Sequence, residues 1–195
     1  MDTSLFEKNF GLATEEYEAL VKYCADNDLP FEIPNRHIAH AAILTNHILR
    51  RTRTSVDILT GSMPELFFRA IKTALEVALN AGTKARIIFV NKGTACRDLI
   101  ELAKKYPERL QIFEIQDAFR ENVKRRVCHF CVSDNKRFRI EEIHPDKDFS
   151  LDPGIRATAS FNHPTEAKSL KDSFTDLVNL SDSIPLPSAP VFSAA

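Results

Sequence analysis

The chain of 195 residues contains only five glycines and four cysteines, and it has no long apolar run. So little glycine excludes a collagen-like chain, a glycine-rich barrel and a low-complexity polymer. Four cysteines in this length do not make a disulfide scaffold. The longest apolar stretches, such as Ile87 to Val90, fall far short of the roughly 20 residues that cross a bilayer. The opening residues, MDTSLFEKNF, show no basic segment followed by an apolar one, so no secretory signal is read there. A cytoplasmic protein without membrane contact is the expectation. An excess of one charge is missing too. Lys and Arg number 26 against 27 Asp and Glu, a net charge of -1, which excludes a surface that is basic throughout.

Hydrophobic residues make up 44% of the chain, enough at this length for one well-buried domain with small appendages. The neutral total hides a split. Residues 1–33 hold eight acids and two bases, and the remainder carries the opposite excess. Residues 14–25 read as a helix, with Thr14 as cap and Tyr17, Leu20, Val21 and Cys24 as an apolar stripe. This gives an acidic N-terminal arm over 1–33, which either packs or covers a basic surface.

Asn35 can cap a helix from about Arg36 to Arg51, and residues 55–60 read as a strand. Ser62-Met63-Pro64-Glu65 has the form of a capping box that opens a helix to about Asn80, closed by Ala81-Gly82. Ala85 to Val90 is a continuous apolar run, as in a buried parallel strand. A helix over 94–105 and a strand over 110–115 follow. This alternation predicts a parallel β-α-β-α-β unit. Arg125 to Ser133, the turn Asp134-Asn135-Lys136 and Arg137 to Glu142 then read as an antiparallel hairpin. An acidic loop spans 144–154. A strand over 156–161 and a helix from Asn162 to about Leu180 complete a domain over 34–180, with a flexible tail over 181–195.

Three stretches, SVDILTGSMPELFFRAIKTALEVALNAGTKARIIFVN, VCHFCVSDNKRFRIE and ATASFNHPTEAKSLKDSFTDLV, resemble in order and texture one half of the phospholipase D superfamily fold. The resemblance spans roughly residues 36 to 179. It implies an α/β fold with a mixed sheet, a parallel unit followed by the hairpin, flanked by helices. The family's HxKx4D motif would sit on the second stretch. Anchored on Asp134, the lysine place holds His129 and the nucleophilic histidine place holds Val127. At the spacing of the family's Gly-Ser-x-Asn the chain reads Glu141-Glu142; the nearest alternative, residues 158–162, lacks the glycine. The family's chemistry needs an imidazole nucleophile, with a lysine and a Ser/Asn pair neutralising the oxyanion. The resemblance therefore implies a degenerate member, a binding or regulatory subunit for nucleic acid or a protein partner. The second reading is a divergent nuclease or phosphodiesterase using His129 with Arg137 or Arg139. Single-half members of the family pair, so a homodimer is expected.

Cys128-His129-Phe130-Cys131 invites a metal reading, but residues i and i+3 of a strand point to opposite faces. No metal or cofactor is expected. Alternation places His129 and Cys131 on one face. His37, His40 and His47 lie within one arc of their helix and read as a solvated flank or a phosphate-facing strip. Basic residues cluster at Lys124, Arg125 and Arg126 and again at Lys136, Arg137 and Arg139. Lys124, Arg125, Arg126, Arg137 and Arg139 are the candidate phosphate contacts. Arg137 and Arg139 also share a strand face with Glu141, so an internal ion-pair ladder competes with that role.

Overall fold

The computed structural model describes residues 14–142 and 156–184; the expected acidic loop 144–154 and the tail from residue 185 lie outside the described residues. The helices are α1 (Thr14–Asp26), α2 (Ile38–Arg51), α3 (Glu65–Asn80), α4 (Arg97–Lys105), α5 (Asp117–Arg126) and α6 (Pro164–Val178). The strands are β1 (Ile33–Asn35), β2 (Ser55–Thr60), β3 (Lys84–Phe89), β4 (Leu110–Ile115), β5 (Phe130–Ser133), β6 (Arg137–Glu141), β7 (Ala157–Ser160) and β8 (Ser181–Ser183). They form one mixed sheet in the order β1-β7-β6-β5-β2-β3-β4-β8. The strands β2, β3 and β4 run parallel, and β5 pairs antiparallel with β2 on its other side. This is the α/β fold read from the sequence.

Alternation along the central strands feeds two cores. Ile58, Ile87 and Cys131 face Leu44 and Ile48 of α2 and Phe68 and Leu75 of α3. Leu59, Ile88, Phe130 and Val132 face Val123 of α5 and Phe174 of α6. Continuous apolar strands buried on both faces require such a three-layer arrangement. One charge pair lies in the second core. Arg86 donates through Nε and Nη2 to the two oxygens of Asp57, at 2.7 and 2.9 Å, and its guanidinium stacks over Phe174. The bidentate geometry satisfies a carboxylate that is 1% exposed.

Several boundaries differ from expectation, each for a local reason. Arg125 and Arg126 end α5 rather than opening a strand: Asp117 in its first turn and Lys124, Arg125 and Arg126 in its last complement the helix dipole. The α2 helix starts at Ile38 because Asn35 is taken into β1, where it pairs with Ala157. Ser62 does not cap α3; Pro64 takes the cap position without a side-chain bond. His163, not Asn162, caps α6, its Nδ1 accepting from the Glu166 N–H at 3.3 Å. The tail expected from Ser181 begins inside the sheet, since β8 pairs with β4.

Helix α1 both packs and covers charge. Val21, Cys24 and Ala25 enter the first core. Asp28, just after it, accepts from Lys136 at 2.9 Å and from Arg137 at 3.1 Å, and Asp26 pairs with Arg51. Burial alone would raise the Asp28 carboxyl, but these partners hold it below its usual range.

Asp134 acts as a clamp. Asp134 and Asn135 adopt φ of 53° and 51°, and Lys136 N–H donates to Ser133 O, which makes the hairpin turn. The Asp134 carboxylate accepts from the N–H groups of Arg53, Thr54 and Ser55, the Thr54 hydroxyl and Arg137. Burial would raise this carboxyl as well, and the bonds from Thr54, Arg53 and Ser55 lower it overall. Asp134→Asn keeps a residue suited to positive φ but removes the charge. A loss of about 2–3 kcal/mol in urea unfolding is expected at neutral pH. Because the folded carboxyl is depressed, its stabilisation is present above about pH 4 and disappears as pH falls through the folded value. The Asn variant therefore converges on the parent in acid.

Candidate functional site

The carboxyl ends of β2 and β6, the amino end of β5 and the start of α2 meet at one end of the sheet. Here β2 turns from a parallel neighbour to an antiparallel one, the kind of switch point at which open α/β sheets form crevices. A cavity of about 460 Å³ lies at this place, with His37, Thr45, Thr60, Asn91, His129, Arg139 and Glu141 among its lining residues.

His129 stands one residue before β5 and lines the cavity together with Phe130 and Cys131. Its imidazole lies over Gly61. A Cβ at Gly61 would meet His129 Cε1 and Nε2 at 3.0 Å and Asn91 Nδ2 at 3.5 Å. The glycine that ends β2 is there for close approach, since its φ is not positive. The His129 carbonyl accepts the Glu141 N–H at 2.8 Å, which locks the two residues side by side.

Arg139 is 7% exposed and Glu141 8%. Arg139 donates from Nε to Asn35 Oδ1 at 2.6 Å and from Nη2 to Glu141 Oε2 at 2.9 Å. Asn35 is fully buried and donates through Nδ2 to the His37 carbonyl. This chain of bonds joins β6, β1 and the entry to α2. The ion-pair ladder on β6 is thus formed, and it occupies the cavity wall. Arg137 lies at the other end of β6, paired with Asp28 and Asp134 and outside the cavity lining. Ser160 pairs in register with Phe138 near the hairpin turn, and neither Ser160 nor Asn162 is among the cavity's lining residues. Lys124, Arg125 and Arg126 are exposed on the last turn of α5, directly before the segment that carries His129.

The histidine strip is not a solvated flank. His40 stacks on Tyr17 of α1 at 3.6 Å, and His37 meets His40 edge-on at 5.2 Å. Burial, then the neighbouring His37, lowers His40 to about 4; burial, then the charges of Arg51 and Arg50, lowers His47 to about 4. The sequence contained Tyr17 of α1 and the histidines of α2, but only docking of the two helices stacks one ring on the other. Burial also pushes the Cys131 thiol up to about 12, so it is a core group and not a nucleophile. Among the described residues no three His, Cys, Asp or Glu side chains converge as metal ligands.

Because His40 and His47 stay neutral in the fold, the unfolded chain takes up protons first as pH falls below about 6.5. Stability is expected to decline between about pH 6.5 and pH 4, measured by urea unfolding. A His40→Gln, His47→Gln variant flattens that decline. At the cavity, Gly61→Ala is expected to cost about 1–2 kcal/mol and to shift the His129 ring resonances.

The sequence matches no family model and no curated protein. Solved structures do resemble it. The phospholipase D family member Nuc from Salmonella typhimurium has a TM-score of 0.58 at 16% identity, over 79% of this chain and 97% of that chain. NucT from Helicobacter pylori has a TM-score of 0.57 at 13% identity, over 79% of this chain and 98% of that one. TrmBL2, an archaeal chromatin protein described as having a novel mode of DNA binding, has a TM-score of 0.55 at 10% identity, over 93% and 66%. At such identities the likeness is one of fold. The phospholipase D-like architecture expected from the sequence is the one observed.

Proposed function

We propose that this chain, built on the phospholipase D-like fold, is a degenerate member of the superfamily that binds nucleic acid as a regulatory subunit without efficient phosphodiester cleavage. The observation that supports it is the Arg139–Glu141 pair in the cavity wall. In the register anchored on Asp134, Glu141 stands where the family has the glycine of its oxyanion-binding motif. A carboxylate there repels the charge that the reaction develops, and its arginine is already engaged. Val127, at the nucleophile's place, has no lone pair to attack phosphorus. Binding needs neither group. Lys124, Arg125 and Arg126 face water in a row and suit phosphate contact, whereas Arg137 and Arg139 hold the hairpin and β1 in place. Pairing as a homodimer would double this basic edge, and the cytoplasm supplies such a polymer.

His129 against Gly61 and beside Asn91 favours the second reading, a divergent nuclease. Incubation of the protein with single- and double-stranded DNA and RNA, with and without divalent metal, decides between the two. Retention on nucleic acid without cleavage is the expected result. Cleavage that disappears in a folded His129→Ala variant overturns the binding reading. A Lys124→Ala, Arg125→Ala, Arg126→Ala variant is expected to reduce the slope of log affinity against log salt by about 2–3. Absence of salt-dependent retention by the parent would direct the search to a protein partner instead.

A further inference from the structure

We propose that the outer side of α1 and the segment entering β1 form a docking surface for a basic segment of another protein, one that carries Arg or Lys among apolar side chains. This goes beyond nucleic-acid binding and does not rest on it. Helix α1 packs in the first core, whereas α5, with the basic residues of that reading, packs in the second, on the other face of the sheet. Single exposed apolar side chains are ordinary on a protein surface, but a cluster of large ones is not. Among the described residues, Tyr23 and Phe31, at 62%, and Leu20, at 50%, are three of the four most exposed large hydrophobic side chains, and all three fall between residues 20 and 31.

The apolar side of α1 is wider than its packing needs. Tyr17, Val21 and Cys24, at i, i+4 and i+7, turn toward the first core. The neighbouring stripe of Glu16, Leu20 and Tyr23 has the same spacing and stays in water. Phe31 is held out between Leu29 and Ile33, which both pack into the first core. The Tyr17 hydroxyl donates to the Pro34 carbonyl at 2.9 Å, which ties the helix to the approach to β1. Pro30 and Pro34 restrict φ on either side of Phe31, so less entropy is lost when the ring is covered. The charge of this surface selects the partner. Residues 14–35 hold six acids and one base, Lys22. Lys22 is paired with Asp26, while Asp26 and Asp28 also meet Arg51, Lys136 and Arg137. Glu15, Glu16, Glu18 and Glu32 make no ion pair among the described residues. Glu16 lies on the exposed stripe itself, and Glu32 follows Phe31. The exposed Arg36 lies past the far end of β1. Carboxylates around exposed aromatic rings favour guanidinium and ammonium groups, which pair with the first and stack on the second, and they disfavour nucleic acid or an anionic membrane.

The probe is a random dodecapeptide library displayed on phage. It is panned on the immobilised native protein with an excess of a soluble Leu20→Ser, Tyr23→Ser variant as competitor. Both replaced side chains are exposed, and circular dichroism checks that the variant folds; where it does not, Phe31→Ser takes its place. Peptides enriched under this competition are expected to be net positive, with Arg or Lys among Leu, Phe or Trp. A synthetic peptide of the enriched sequence is expected to bind the native protein saturably and more weakly as salt rises. A Glu16→Lys, Glu32→Lys variant is expected to bind it about tenfold more weakly than the parent. The serine variant is expected to keep the parent's nucleic-acid retention, since α5 is unchanged. No enrichment, or enrichment of acidic or uncharged peptides, overturns the proposal. Equal affinity of the parent and the lysine variant for the peptide overturns it as well. Self-association of the parent in sedimentation velocity that the serine variant abolishes assigns the surface to a second copy of the chain, and that result overturns it too.

Discussion

A buried arginine must be paired, and the pairing of Arg139 organises the functional end of this molecule. An unpartnered guanidinium in that position would cost several kcal/mol. Asn35 and Glu141 remove that cost from two sides, one from β1 and one from β6 itself. Asn35 then spends its amide on the His37 carbonyl, so the same network sets where α2 begins. The sheet edge, the helix start and the cavity wall follow from one side chain.

Asp134 does the corresponding work at the opposite end. Its carboxylate gathers three successive N–H groups at the entry to β2 and so ties the hairpin to the parallel unit. Here its role is visible as architecture: it closes a turn that already demands positive φ and holds the strand on which the cavity is built.

The acidic N-terminal segment and the basic hairpin explain each other. Asp28 meets Lys136 and Arg137, Asp26 meets Arg51, and Tyr17 lies flat on His40. Two acids of this segment, Asp26 and Asp28, are thus spent on bases of the body of the molecule. What remains exposed of the clusters at 124–126 and 136–139 is the last turn of α5, and an apolar depression opens at the sheet's switch point.

Local chemistry determined much of this protein in advance. Apolar runs such as residues 85–90 demanded buried parallel strands, and Asp134-Asn135 demanded a tight turn. Those properties depend on neighbours in sequence, so they are legible there. The three-residue strands β1 and β8 were not, because Ile33–Asn35 and Ser181–Ser183 have no periodicity of their own and become strands only by pairing with β7 and β4. Helix α5 was missed because its single buried residue, Val123, gives almost no apolar stripe. The sequence could say that Arg137, Arg139 and Glu141 share a face, but not whether that face met water, phosphate or carboxylate. Tertiary structure decided it, since Asn35 lies 104 residues from Arg139 and Asp28 lies 109 from Arg137. Ionic pairing acts through space, and only the folded sheet brings those charges within reach.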